Sequence, residues 1–245
     1  KKTAELRQLF DAAVMMTSEA GSVSSRLVAV LGPSGSGKSS LAQAGLLADL
    51  LRKPPIGGSY LVAVLRPQGR PLRALARVLA KLKHASSEWL LSEIDAIVER
   101  LHKDPRALGD LVSDVLTQPE QRLLLVIDQL EELYTMAEPS EAATAERRAF
   151  VAALLKAASE RRGRTDVVVT LRSDLLGEVG VDPALQQALM TTGRVLLVGS
   201  LDAEELAEAI TGPAARAGRP LPADAVALLV REAEGQAGTL PLLQF

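Results

Sequence analysis

The 245-residue chain contains no cysteine and no asparagine, has only two histidines, and is 2% aromatic. Each gap removes a class of chemistry. Without cysteine there are no disulfides, thiolate metal sites or cysteine nucleophiles. Without asparagine, the Asn-Lys-x-Asp element with which GTPases read guanine is missing. So few aromatics cannot build a platform on which single-stranded bases stack. His84 and His102 sit in charged segments that read as exposed helix, so imidazole chemistry is not expected. No apolar run approaches the roughly 18 residues of a membrane span, and no secretory core follows the first lysines, which makes the cytoplasm the default location. With 28 Lys and Arg against 30 Asp and Glu, the net charge of −2 provides no global basic field for nucleic acid or anionic lipid.

What is present is an ordinary globular composition, 47% hydrophobic, enough for one large α/β domain or a domain with a small appendage. The chain begins at Lys1 rather than at a methionine and ends at Phe245 inside an apolar segment, so it reads as an excerpt of something longer.

The informative stretch is 26–41, RLVAVLGPSGSGKSSL. An apolar strand runs into a glycine-rich turn, and a Lys-Ser-Ser opens a helix. Gly32, Gly37, Lys38 and Ser39 satisfy G-x-x-x-x-G-K-[ST]. Glycines at 32, 35 and 37 free the backbone to turn successive N–H groups inward on an anion, and the helix aims its positive end at the same point. The backbone from Gly32 through Pro33, Ser34, Gly35, Ser36 and Gly37 to Lys38, Ser39 and Ser40 is therefore the expected phosphate cradle. Lys38 supplies an ammonium to the β- and γ-phosphates, and the Ser39 hydroxyl is placed for a magnesium ion.

A second signal lies at 121–132, QRLLLVIDQLEE. Five aliphatic residues ending in Asp128 read as a strand buried on both faces, with carboxylates just past its end. Asp128 would hold magnesium, directly or through water, and Glu131 or Glu132 would orient or deprotonate an attacking water. Spacing leaves open which glutamate acts; the other would brace an arginine. A third strand of this kind, 166–171, ends at Arg172 after Thr170. Arginine caps strands for structural reasons too, but at this edge of a parallel sheet Arg172 is the candidate γ-phosphate sensor.

Two further strands are expected at 60–65 and 194–199, with helices at 3–16, 41–51, 71–83, 88–103, 105–116 and 145–162. Beyond residue 200 the pattern is helical. Asp202 and Glu205 form a capping box, Gly212-Pro213 is expected to end that helix, and another spans 223–234. The segment from Gly238, GTLPLLQF, reads only as a helix start.

In that order, GPSGSGKSS, VIDQLEELY, VVTLRSD and GTLPLLQF resemble the STAND class of signalling ATPases, and within it the bacterial "novel STAND" group often joined to WD-repeat propellers. The resemblance covers 27–245. It implies an α/β P-loop NTPase with a mostly parallel five-stranded sheet of additional-strand, AAA-like topology flanked by helices. A nucleotide-binding domain over 1–200 would carry a partial helical lid at 201–245. The ligands implied are ATP or ADP and Mg2+. Lys38 and Ser39 would be the Walker A pair, Asp128 the Walker B carboxylate, Arg172 the sensor, and Gly238 with Pro241 the lid motif facing adenine. Leu130 and Leu175 stand where the group tends to have aromatics, which bears on packing rather than chemistry. Effector and sensor domains would lie outside this segment, with homo-oligomerisation on activation.

The leading expectation is thus a slow ATP-hydrolysing switch in signalling or defence. A nucleotide-binding scaffold with negligible turnover is the second reading, and an ABC-type or other P-loop ATPase the third. Against the third, the chain has no LSGGQ signature, and Gln129 follows Asp128 where an ABC ATPase places glutamate. All of these readings require the loop near residue 35 and the strand tip at residue 128 to lie within a nucleotide's reach.

Overall fold

The computed structural model describes residues 2–16, 25–54, 58–83, 90–191 and 194–233. Helix α1 (Lys2–Met16) precedes β1 (Leu27–Gly32). A continuous helical segment follows: α2 (Lys38–Ser40), a π-helix over Leu41–Leu47, and α3 (Ala48–Arg52). Next come β2 (Tyr60–Leu65), α4 (Pro71–Lys83), α5 (Leu90–Lys103), α6 (Ala107–Val115) and β3 (Arg122–Ile127). After α7 (Glu132–Thr135) and α8 (Glu141–Ser159) the chain enters β4 (Thr165–Arg172). A 3-10 turn, α9 (Leu176–Val179), α10 (Pro183–Thr191), β5 (Val195–Leu197), α11 (Ala203–Arg216) and α12 (Ala223–Ala233) complete the described chain.

The five strands form one sheet in the order β2-β3-β4-β1-β5, and every described pairing is parallel. The Asp128 strand is therefore separated from the glycine-loop strand by β4, the additional-strand arrangement. The unbroken aliphatic runs are explained by cover on both faces. Leu27, Ala29 and Leu31 join Leu123, Leu125 and Ile127 in a core with α4, α5, α6, α8 and α10. Val28 and Val30, pointing the other way, pack with Leu6 and Phe10 of α1 and with Ala42 and Leu46 of the π-helix.

At the amino end of the sheet, away from the glycine loop, Asp166 is fully buried. It accepts hydrogen bonds from Arg122 Nε and Nη2 at 2.7 and 2.8 Å and from Tyr60 Oη at 3.0 Å. Removing one partner of such a buried cluster strands a charge and costs about 3–5 kcal/mol.

Several boundaries differ from the sequence reading by a few residues, among them the end of α8 at Ser159 rather than 162 and β5 at Val195–Leu197 rather than 194–199, and two have a clear cause. Helix α8 begins at Glu141 rather than 145 because the Ser140 hydroxyl caps it, accepting from Ala143 N–H at 3.1 Å. Helix α11 does not end at Gly212-Pro213 but runs through both to Arg216. The glycine that ends it is Gly218, with φ +69, where Gly218 N–H bonds the Ala215 carbonyl and Arg219 N–H bonds the Ala214 carbonyl. That is a Schellman stop, and it leaves Pro213 to remove a single i→i−4 bond inside the helix. The capping box at Asp202 and Glu205 is present as expected.

Candidate nucleotide-binding site

The carboxyl ends of β1, β3 and β4 open onto a cleft of about 1130 Å³. Ser34, Gly35, Gly37, Lys38, Ser39 and Ser40 line one side. Gly35 and Gly37 take φ values of +72° and +81°, the left-handed region in which a glycine loop turns its amides inward. Gly32 and Pro33 are not among the residues that line the cleft. A Cβ on Gly32 would stand 2.3 Å from the Val198 carbonyl oxygen, so only glycine lets the chain after β5 close over β1. Ser36 Oγ is buried with no hydrogen-bond partner.

Lys38 is nearly buried, and its ammonium donates to the Pro33 carbonyl at 2.7 Å, inside its own loop. Burial pushes its pKa down, and the Glu131 charge is the strongest influence opposing the shift. Ser39 Oγ donates to Asp128 Oδ1 at 2.6 Å. The loop and the acidic strand tip are therefore in direct contact, well inside a nucleotide's reach.

Asp128 is 1% exposed and lies beneath the cleft. Thr170 Oγ1 also donates to its Oδ1, at 2.8 Å, and accepts from Gln129 N–H at 2.9 Å. Gln129 holds a positive φ of 59°, uncommon outside glycine, and the Thr170 bond helps to keep it there. The two glutamates part company. Glu131 Oε2 accepts the Arg172 backbone N–H at 3.3 Å. Its pKa is raised because burial outweighs the backbone donors and the Lys38 and Arg172 charges. Glu132 Oε2 is committed to the Gln68 backbone N–H at 3.1 Å. Both line the cleft. Arg172, the last residue of β4, also lines it, but its guanidinium is gripped by Asp174, with Nη2 to Oδ2 at 2.7 Å. Gly238 and Pro241 lie outside the described residues.

The family described as Novel STAND NTPase 1 matches residues 5–245. The chain belongs to that family. No curated protein matches. Among solved structures, the NTPase is similar to the Aeropyrum pernix ORC1 protein in complex with DNA, at 18% identity and a TM-score of 0.60 over 98% of this chain and 56% of that one. The A. pernix ORC2 protein, in ADPNP and ADP complexes, aligns at 13% identity and a TM-score of 0.58 over 87% of this chain and 50% of that one. A Walker-type ATPase of Pyrococcus abyssi aligns at 15% identity and a TM-score of 0.54 over 98% of this chain and 67% of that one. The NTPase thus spans about half the length of the two A. pernix proteins, and the likeness is one of fold. By family and fold it is a nucleotide-binding P-loop NTPase.

The residues fit the ligands this family name implies. The left-handed Gly35 and Gly37, the unpartnered Ser36 hydroxyl and the Lys38 ammonium resting on its own loop are groups of the kind that could bind phosphoryl oxygens. Ser39 and Asp128 supply a hydroxyl and a carboxylate at one point. Among the described residues there is no cluster of three or more His, Cys, Asp or Glu side chains. An ion held here would draw its remaining ligands from phosphate and water, as Mg2+ does.

Several residues of the NTPase cleft escaped the sequence reading. Gln43 Nε2 reaches Asp128 Oδ2 at 3.4 Å; it stands one helical turn after Ser39, a spacing that could have flagged it. Arg66 lines the cleft and could have been found by the rule that singled out Arg172, the first charge past a buried strand. Ala209 and Pro213 of α11, together with Met136 and Leu175, line it without any local signal. No helix among the described residues is long and apolar enough to cross a membrane.

Proposed function

We propose that this NTPase is the ATP-dependent switch of a larger cytoplasmic signalling or defence protein, binding Mg-ATP between the glycine loop and the Asp128 strand tip and hydrolysing it slowly. The observation that carries the reading is the 2.6 Å hydrogen bond from Ser39 to Asp128, which unites the two motifs in one site. The loop amides and Lys38 grip the polyphosphate, the ammonium leaving the Pro33 carbonyl for phosphoryl oxygens. Ser39 and Asp128 would hold a divalent cation, which would supply positive charge against the polyphosphate.

Glu131 is the general base in this reading. Its raised basicity and its place beside Lys38 and Arg172 suit it to take a proton from water, whereas Glu132 fixes the loop after β2. Arg172 senses the γ-phosphate after exchanging Asp174 for it. In this reading the helices beyond residue 200, α11 and α12, belong to a lid on the nucleotide domain. Ala209 and Pro213 of α11 line the cleft, which supports a coupling of nucleotide state to lid position and to assembly with further copies.

A scaffold driven by exchange alone is the second reading, favoured by the engagement of Arg172 with Asp174. Lys38→Ala tests the site: loss of charge-assisted contacts worth about 1.5–3 kcal/mol each lowers affinity for a non-hydrolysable ATP analogue about ten- to hundredfold. Unchanged affinity by calorimetry overturns the site. Phosphate release by the parent at the buffer rate would leave the scaffold reading standing in place of the enzyme.

A further inference from the structure

Arg66 belongs to none of the motifs, yet the sheet sets it beside the carboxylate expected to hold the metal. The register pairs Leu65 with Ile127 and Ile127 with Val169. One step further along, Arg66, Asp128 and Thr170 stand in a row across three adjacent strands. Ser39 and Thr170 both donate to Oδ1 of Asp128. The other oxygen, Oδ2, receives Arg66 Nε at 3.3 Å and the Gln43 amide at 3.4 Å.

The two partners of this ion pair are unequal. The Asp128 side chain is 2% exposed, whereas that of Arg66 is 51% exposed and lines the cleft. The backbone that carries Arg66 is anchored. Gln68 N–H is held by Glu132, and a Cβ on Gly69 would meet the Met136 carbonyl oxygen at 2.9 Å. A half-exposed head on a fixed stem can change partners without moving the sheet.

We propose that Arg66 is a displaceable counter-ion of Asp128, covering in the metal-free protein the oxygen a divalent cation needs and turning to the polyphosphate when the cation takes it. The proposal rests on the nucleotide-binding reading above. A buried carboxylate without a cation is strongly disfavoured, and the guanidinium supplies that charge from the solvent side. A dication on the same carboxylate repels it. With Lys38 and Arg172, Arg66 is one of three cationic side chains lining the cleft among the described residues, and its planar fork suits phosphoryl oxygens as well as a carboxylate. Arg66 is thus a positioning residue for the metal ligand, and its own charge sets how much cation the site requires.

Two binding measurements on Arg66→Ala and Arg66→Lys test this without turnover. In the first, Mn2+ is titrated into nucleotide-free protein and followed by electron paramagnetic resonance. In the second, the affinity for a non-hydrolysable ATP analogue is measured in EDTA. Arg66→Ala is expected to bind Mn2+ about three- to tenfold more tightly and the metal-free analogue weaker by a similar factor, with Arg66→Lys between it and the parent. A purely structural role would not move the two in opposite directions. Unchanged or weaker Mn2+ binding by Arg66→Ala, or none detectable in either protein, overturns the proposal. If the parent binds the analogue and only the Mn2+ result fails, the nucleotide site survives; if the parent binds no analogue at all, the site reading falls first and takes this one with it.

Discussion

Replacing Thr170 with valine keeps the shape of a fully buried side chain and removes one oxygen that works twice. Its hydroxyl donates to Asp128 at 2.8 Å and accepts from Gln129 N–H at 2.9 Å. The charge-assisted bond is worth about 1.5–3 kcal/mol, and a buried N–H left unpartnered costs about 1–3 kcal/mol. The added apolar group returns roughly 0.8 kcal/mol. The expected loss of stability is therefore about 2–5 kcal/mol, read by urea denaturation of the nucleotide-free protein, with the thermal midpoint falling roughly 2–4 °C per kcal/mol. The same change frees Gln129 from its left-handed conformation and leaves Asp128 held on that oxygen by Ser39 alone, so affinity for the Mg-analogue complex falls as well. Thr170→Ser, which keeps the oxygen and loses only a methyl group, is expected to cost about 1 kcal/mol. A loss below about 1 kcal/mol for valine, or equal losses for valine and serine, would refute the argument that this hydroxyl organises the strand tips.

Glu131→Gln is expected to abolish phosphate release while retaining nucleotide binding, whereas Glu132→Gln keeps turnover and loses stability through its contact with Gln68; the reverse pattern in single-turnover assays would exchange their roles. Because the Glu131 pKa is raised by burial, the folded state holds its proton more tightly than the unfolded chain. This contribution is present below the ordinary glutamate pKa of about 4.3 and lost as pH rises through the elevated folded value. Nucleotide-free Glu131→Gln should therefore be more stable than the parent at neutral pH, with the difference vanishing near pH 4 in denaturation experiments. Gly32→Ala would drive a Cβ to 2.3 Å from the Val198 carbonyl oxygen, a backbone atom that cannot swing aside. It should lose roughly 1–3 kcal/mol by denaturation and weaken nucleotide binding in the same protein.

Asp128, Lys38 and Ser39 were legible because each is fixed by a short stretch: an aliphatic run buried on both faces, or a loop whose glycines meet local backbone demands. The Asp202 capping box was readable for the same reason. Gly212-Pro213 misled because its local meaning is a stop. Proline removes only one hydrogen bond, however, and α11 continues until Gly218 supplies the left-handed turn.

The sequence by itself determined the local elements of the candidate site, a glycine-rich turn between strand and helix followed by acidic and basic strand ends, since periodicity and backbone conformation are settled within about ten residues. Only the tertiary structure decided which glutamate meets the Arg172 backbone and which the Gln68 backbone, that Arg66 shares Asp128 with Ser39 and Thr170, and that Ala209 and Pro213 of α11 line the cleft. Those facts depend on the lateral register of parallel strands whose connections run through long helical crossovers. No local pattern encodes which residue of one strand will stand opposite which residue of the next.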